Sequence, residues 1–449
     1  MNARELVLEL LLEILEEKKL SHLVLQKKLA AHPEMEKKDR AFVKRLCEGT
    51  LERLLTLDYL LGCYSTVKVT KMKPVIRNLL RMSIYQLYYM QVPASAVCNE
   101  AVKLAKKRGF TGLSGFVNGV LRAVARNPVD LFERTKELAP KKRISVLYSV
   151  PEWMVESFLT WYGETETQRM FEAFLTPEAV TVRVNTSKIS VEDCVRQLTE
   201  QGVSVQSGSY CDTALHISGY DALERLELFN NGSLMVQDES SMLPALCAGV
   251  MQGNYVIDCC AAPGGKTLHI ADLLKQTGTV SARDVSEGKL AKIRENLMRT
   301  GYTNVEVLLA DAGVLRTEDI EKADVVLADL PCSGLGIIGK KPDIKYNMTP
   351  EALTELQSLQ RKLLSVIVQY IKPGGVLVFS TCTLNPGENV ENVHWIEKQL
   401  GLQPENLNPY LPEALHSEET KRGYLQLKPQ SGCCDGFFVS RFRKRKVEN

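Results

Sequence analysis

Two cysteines stand where a thiol could do chemistry. Cys332 lies in Ala328-Asp-Leu-Pro-Cys-Ser-Gly-Leu-Gly336, after the apolar run 323–327, and Cys382 lies in Ser380-Thr-Cys-Thr383, after Gly375-Val-Leu-Val-Phe379. Both runs stop abruptly at turn-forming or hydroxyl residues, the place where an open parallel sheet presents functional side chains. A thiol there can serve as a nucleophile. A lone buried cysteine is usually a small hydrophobe, and Cys47, Cys63, Cys98, Cys194 and Cys247 are read that way. Carboxylates end neighbouring runs: Asp284 lies 26 residues beyond Asp258, and Asp311 and Asp329 follow at the next two. Each alone suits a turn or helix cap. Three at successive strand ends, beside a glycine-rich turn, point to a ligand site.

That turn is Asp258-Cys-Cys-Ala-Ala-Pro-Gly-Gly-Lys-Thr267. A glycine-rich strand-to-helix turn lets a ligand approach the backbone and the helix N-terminus. Gly265-Lys266-Thr267 mimics a phosphate-binding loop, but the glycine that motif needs five residues before Gly265 is Cys260. The dinucleotide fingerprint is also absent, which argues against an NTPase or a dehydrogenase and leaves a nucleoside-containing ligand.

The elements that must position these residues alternate. Strands are expected over Tyr255–Cys259, Thr279–Ala282, Val305–Leu309, Ala323–Leu327 and Val376–Phe379, with helices over Thr267–Gln276, Glu287–Thr300 and Pro350–Ile371 between them. Pro373-Gly374-Gly375 reads as the turn before the last strand. This pattern predicts a doubly wound α/β domain over residues 246–449. Residues 146–245 read as a small α/β unit with strands Val180–Val184, Leu215–Ile217 and Leu234–Val236 and a capped helix opening at Ser190. Residues 1–145 read as all helix: Val7, Leu10, Leu11 and Ile14 share a face, and further helices fall over Asp39–Leu61, Val75–Tyr89, Ser95–Arg108 and Ser114–Arg126. The tail Arg441–Lys446 is a basic low-complexity tract.

Composition narrows the function classes. At 45% apolar and 24% charged residues the chain is an ordinary globular sequence. Glutamates interrupt its first apolar stretch, and no run is long enough for a membrane span. The 12 cysteines form no C-x-x-C pair, and Cys259-Cys260 and Cys433-Cys434 are adjacent, so neither a metal site nor a disulfide framework is expected. A cytoplasmic monomer fits. The net charge of +2 hides an asymmetry: residues 1–150 hold 27 Lys and Arg against 15 Asp and Glu, a surplus of +12, and the remainder carries −10. A basic helical third attached to an acidic remainder suggests a polyanion-binding module. Lys106, Lys107 and Arg108, on one basic stretch, are candidate phosphate contacts.

Taken together, Cys260-Ala-Ala-Pro-Gly-Gly-Lys266, Asp329-Leu-Pro-Cys-Ser-Gly334, Lys341-Pro-Asp-Ile-Lys345, Ser380-Thr-Cys382 and Asp435-Gly-Phe-Phe438 closely resemble the RNA cytosine-5 methyltransferases. Arg183-Val-Asn-Thr186 and Gln237-Asp-Glu-Ser-Ser241 extend the likeness upstream. Arg81–Leu87, Val92-Pro93, Asn99–Val102 and Phe116–Arg122 resemble a NusB-type RNA-binding domain. The combination resembles the bacterial RsmB (Sun/Fmu) family. Leu330 and Arg283 depart from the usual pattern, and Arg283 could alter the cofactor pocket.

The resemblance implies a NusB-like helical domain, a small RRM-like α/β subdomain and a Rossmann-like methyltransferase domain. It implies methylation of a cytosine C5 in 16S rRNA, with S-adenosylmethionine as cofactor and no metal. Cys382 would attack C6, Asp329 would hydrogen-bond the base at N3, and Cys332 would assist release. The backbone of Cys260, Ala261, Ala262, Pro263, Gly264, Gly265 and Lys266 would cradle the cofactor, together with Asp284 at its ribose, Asp311 near its adenine and Asp329. Lys341 and Lys345 would meet RNA phosphate. Two rivals stand beside this reading: methylation of tRNA or another RNA, and a non-catalytic RNA-binding or antitermination factor on the same fold.

Overall fold

The computed structural model describes residues 2–176, 179–430 and 434–446. The chain forms two compact units. One comprises the residues up to Leu175 with Ile338–Asn347, and the other comprises Thr176–Ile337 with the residues from Met348 onward.

The first unit is helical. Helix Ala3–Leu15 begins at Asn2, whose side chain accepts from the Arg4 N–H, and it buries Leu6, Val7, Leu10, Leu11 and Ile14. These residues join Leu46, Leu57, Leu79, Leu80, Leu104, Val117 and Leu121 in one core. The stretch expected as a single helix over Asp39–Leu61 is two helices, Lys37–Glu52 and Leu54–Tyr64, broken at Arg53. No proline or glycine marks that break in the sequence. Arg53 leaves helical geometry with its guanidinium over the Tyr89 ring at 5.1 Å.

Segment Ile338–Asn347 ties into this unit through helix ends. Asp343 accepts from both the backbone N–H and the hydroxyl of Ser21, the first residue of helix Ser21–Ala30. The Lys345 ammonium donates to the Glu52 carbonyl at 2.8 Å, and the Tyr346 hydroxyl donates to the Leu51 carbonyl at 2.7 Å, at the end of helix Lys37–Glu52. Carboxylate at a helix start and ammonium at a helix end both complement the peptide dipoles. Lys345 is only 2% exposed. That corrects its reading as an RNA phosphate contact, because its donor is turned inward onto a carbonyl. Lys341 is half-buried on the same segment.

The second unit holds two sheets. Strands β1 (Val180–Val184), β2 (Ser204–Ser207), β3 (Ala214–Ser218) and β4 (Leu234–Val236) form an antiparallel sheet in the order β2-β3-β1-β4. Ser190 caps helix Val191–Glu200 by accepting from the Asp193 N–H. The large sheet contains β5 (Tyr255–Asp258), β6 (Thr279–Asp284), β7 (Val305–Leu309), β8 (Ala323–Asp329), β9 (Ile371–Thr381), β10 (Gln403–Pro404), β11 (Tyr424–Leu427) and β12 (Phe437–Arg443). Its order is β10-β12-β9-β8-β5-β6-β7, with β11 paired to β12. Strands β9, β8, β5, β6 and β7 run parallel, and β12 is antiparallel to β9.

Alternation along the central strands makes two cores. Val256, Val325, Leu327, Val376 and Val378 pack on one face with Leu268 and Leu243. Ile257, Val326, Ala328, Leu377 and Phe379 pack on the other with Leu363, Leu364 and Ile367. Helices on both faces therefore bury a sheet whose side chains point alternately up and down.

Two expectations change here. Pro373-Gly374-Gly375 lies inside β9: Ala323 pairs with Ile371 but Val325 pairs with Val376, so Lys372–Gly375 bulge from the ladder. Proline has no N–H for the ladder, and Gly374 takes φ +78°, a left-handed value suited to glycine. The supposed basic tail begins as the last residues of β12. Arg441 is buried, donating to the Cys247 and Ala248 carbonyls at 2.5 and 2.9 Å and to Glu405 at 2.8 Å. It caps the C-terminus of helix Glu239–Ala248.

Candidate active site

Strand order creates a crevice. The chain runs β5 to β6 to β7 outward on one side, then returns to place β8 on the other side of β5. Ligands bind at the carboxyl ends of strands at such a reversal. Asp258 ends β5, Asp284 ends β6 and Asp329 ends β8.

The glycine-rich turn delivers helix Gly265–Leu273 to this edge. Gly264 has φ +105°, which only glycine adopts readily. Thr267 donates to Asp258 Oδ2 at 2.6 Å, tying the first turn of the helix to the end of β5. Burial pushes the Asp258 carboxyl up to about 7, aided by the nearby charge of Asp329 and opposed by Thr267. Asp284 is 4% exposed. Its Oδ2 accepts from the Ala262 N–H at 3.4 Å, while Oδ1 lies 3.3 Å from the Lys289 ammonium and accepts no hydrogen bond. A buried carboxylate oxygen that makes an ion pair but no hydrogen bond among the described residues can still accept from a ligand hydroxyl. Asp311 is exposed just beyond β7 and accepts from the Gly313 N–H at 2.8 Å.

Asp329 is held on both oxygens. Lys266 donates to Oδ2 at 2.7 Å, and Ser380, its register partner on β9, donates to Oδ1 at 2.7 Å. Burial opposes the Lys266 charge, but Asp329, Cys382 and Asp258 outweigh it and raise the pKa. Lys266 therefore serves a strand-end carboxylate as well as following the glycine turn, a pairing that spacing alone did not reveal.

The two cysteines meet. Cys332 Sγ lies 3.4 Å from Cys382 Sγ, a hydrogen-bonding separation too long for a disulfide. The hydrogen bond to Cys382, burial and nearby negative charge hold the Cys332 thiol well above its ordinary value. The Asp435-Gly-Phe-Phe438 motif acts through its glycine. The Gly336 N–H donates to the Cys382 carbonyl at 3.0 Å, and the Gly436 N–H donates to the Gly336 carbonyl at 2.9 Å. A Cβ on Gly336 would lie 2.0 Å from the Gly436 carbonyl oxygen, so the loops meet only as glycines.

The remaining motifs are structural joints. Arg183, fully buried, pairs with Asp272 at 3.0 Å and donates to Gln237 at 3.1 Å. Arg283, which departs from the family pattern, pairs with Asp319 at 3.0 Å, with its guanidinium 5.4 Å from the Tyr370 ring centre. In the helical unit, Lys106 is exposed, Lys107 pairs with Glu5 at 2.6 Å, and Arg108 pairs with Glu9 at 2.7 Å. Of the adjacent cysteines, Cys434 is buried and Cys433 lies outside the described residues.

Comparison with known proteins agrees with this geometry. Residues 247–443 match the family model described as 16S rRNA methyltransferase RsmB/F, residues 1–126 match the NusB family, and residues 150–222 match the RsmF/B-like ferredoxin-like domain. The Bacillus subtilis protein named "Probable ribosomal RNA small subunit methyltransferase B" is 35% identical over 99% of both chains. The chain belongs to the RsmB/F family of rRNA methyltransferases. A Synechocystis relative of the same name is 32% identical over 99% of both chains. A solved methyltransferase homologue from Pyrococcus horikoshii is 30% identical with a TM-score of 0.60, covering 68% of this chain and all of its own. Residues 1–126 of the helical unit are thus NusB-like, the small sheet belongs to a ferredoxin-like domain, and the large mixed sheet is the Rossmann-like methyltransferase fold. S-adenosylmethionine is the cofactor of this family, and Asp284 beside the glycine turn, with its Oδ1 ion-paired to Lys289 but accepting no hydrogen bond among the described residues, fits its ribose hydroxyls.

Proposed function

We propose that the protein methylates C5 of a cytosine in 16S rRNA through a covalent adduct on Cys382. The carrying observation is the pair of thiols 3.4 Å apart beside a strand-end carboxylate held by a lysine. Cytosine C5 is a poor nucleophile, so the ring must first be made electron-rich. The Cys382 thiolate adds to C6, forming a C–S bond and pushing the C5–C6 electrons toward N3. Asp329 hydrogen-bonds N3 and the exocyclic amine. To donate to N3 it must be protonated, at least transiently. Bound S-adenosylmethionine supplies an electrophilic methyl group for C5. The backbone of residues 260–266, Asp284 and Asp311 hold that cofactor. Loss of the C5 proton to solvent then restores the C5–C6 double bond as the C6–S bond breaks, and the departing Cys382 sulfur takes a proton from the Cys332 thiol.

The target base must leave its stack, at a cost of roughly a few kcal/mol. Phosphate contacts on the basic helical unit, with exposed Lys106 the clearest candidate, help offset this and orient the RNA. Lys341 remains a candidate contact.

The test separates the thiols. Cys382→Ala abolishes methyl incorporation and any covalent RNA complex. Cys332→Ala still permits attack and transfer, so a complex that survives denaturing electrophoresis accumulates, with mass spectrometry placing the link on Cys382. Accumulation in Cys382→Ala, linked through Cys332, reverses the assignment.

A further inference from the structure

Directly after Cys382, the turn Asn385-Pro-Gly-Glu-Asn389 buries Glu388 completely. Its carboxyl makes no ion pair with a Lys or Arg among the described residues, and four neutral donors surround it. The Ser333 N–H and Gln360 Nε2 donate to Oε2 at 2.9 and 3.0 Å, and the Ser333 hydroxyl and Asn385 Nδ2 donate to Oε1 at 2.5 and 3.1 Å. Isolating a carboxylate from water costs several kcal/mol, so a buried one is kept where its hydrogen bonds fix something.

What these bonds fix is the approach of the two cysteine loops. Ser333 follows Cys332 directly, and its hydroxyl also lies 2.6 Å from the Thr383 hydroxyl, which follows Cys382. The next residue grips the other strand end: Asn389 accepts from the Thr381 hydroxyl at 2.6 Å and donates to the Thr383 carbonyl at 2.9 Å, bracketing Cys382. Gln360 donates in addition to the Pro331 carbonyl at 2.9 Å, on the other flank of Cys332. Each thiol thus has a residue on either side of it bound to one buried polar cluster, and Glu388 is the carboxylate at its centre.

We propose that Glu388 is a positioning residue that clamps the Cys332 loop to the Cys382 loop and so sets the separation of the two thiols. It touches no reacting atom and acts through Ser333. The inference rests on the cytosine reading above and deepens it. Its negative charge also disfavours the Cys332 thiolate, adding to the hydrogen bond that the Cys332 thiol donates to Cys382 and to burial. The clamp therefore keeps Cys332 in its proton-bearing form beside a nucleophile that must lose its proton.

The experiment is a double-mutant cycle on the full chain with Glu388→Gln and Ser333→Ala, measuring S-adenosylmethionine affinity, KM for RNA and kcat for C5 methylation. Each single change lowers kcat at least tenfold while cofactor affinity and KM stay within about twofold. The double variant falls no more than about threefold below the worse single, because both cut one clamp. Unchanged kcat in Glu388→Gln overturns the proposal, and so do losses that multiply. Cofactor affinity that falls in step with kcat also overturns it, since that marks a merely structural role. If the wild-type protein places no methyl group on C5, the cytosine reading fails and takes this inference with it. A methylating wild type matched by its Glu388→Gln variant sinks the inference alone.

Discussion

Replacing Lys345 by methionine should change how stability depends on pH, with a calculable sign and size. The Lys345 side chain is buried between the ends of two helices, and burial pushes its ammonium from 10.5 down to about 7, with Glu52 opposing that shift and Arg53 adding to it. In the unfolded chain the same group keeps its proton to about its ordinary value. Between those limits the unfolded state binds more protons than the folded one, so raising the pH favours folding. Below pH 7 both states are protonated and the burden of the buried charge is fully present and constant. Each unit of pH across the window is worth about 1.4 kcal/mol. Wild type should therefore gain about 1.4 kcal/mol on Lys345→Met between pH 8 and pH 9, other titrations cancelling in the difference. Urea unfolding of both full-length proteins at pH 6, 8 and 9, followed by circular dichroism, measures this gap. A gap that stays flat from pH 6 to 9 would show that Lys345 keeps its proton in the folded protein, and the reading of this segment as a neutralised internal anchor would fall.

Three other outcomes follow from the structure. Asp284→Ala should weaken S-adenosylmethionine binding by well over tenfold, a loss exceeding about 1.4 kcal/mol, in calorimetry; unchanged affinity in a folded variant removes Asp284 from the site. Lys106→Ala should reduce the slope of log RNA affinity against log salt by about 0.7 to 0.9, the share of one phosphate contact. Arg108→Ala should instead destabilise the protein by about 1 kcal/mol through its lost contacts to Glu5 and Glu9. The reverse pattern would exchange their roles.

Much of the fold was legible because the chain alternates clearly. Val180–Val184, Leu234–Val236, Val305–Leu309 and Ser114–Arg126 were expected with the bounds the structure shows. Periodicity failed where long-range pairing decides. Strand β12 was read in part as a charged tail, since Arg441 and Arg443 look solvated until Glu405 and the end of helix Glu239–Ala248 are placed against them. Lys345 misled for a similar reason. A lysine in a polar loop resembles a phosphate ligand unless the helix carbonyl that receives it is known. The network around Glu388 was missed because its members are neutral amides and hydroxyls, residue types that give no signal until two loops converge on them.

The proximity of the two thiols is itself a consequence of sheet register. Parallel pairing of β8 with β9 sets Asp329 opposite Ser380. Cys332 then lies three residues beyond that pair on one strand and Cys382 two beyond it on the other. A slip of one residue would turn every side chain of β9 to the opposite face. It would exchange Val376 and Val378 with Leu377 and Phe379 between the two cores, so the hydrophobic alternation that stabilises the sheet also fixes the two cysteines. Register alone leaves the loops beyond the strands free to diverge, since Pro331 interrupts one and Thr383–Asn385 turns the other away. Contacts that do not belong to the sheet must close that last gap: Gly336 on the Cys382 carbonyl, Gly436 on Gly336, and Glu388 across Ser333. The sheet brings the two strand ends together, and on the proposed mechanism these loop contacts set the distance at which one thiol attacks a base while its neighbour keeps a proton.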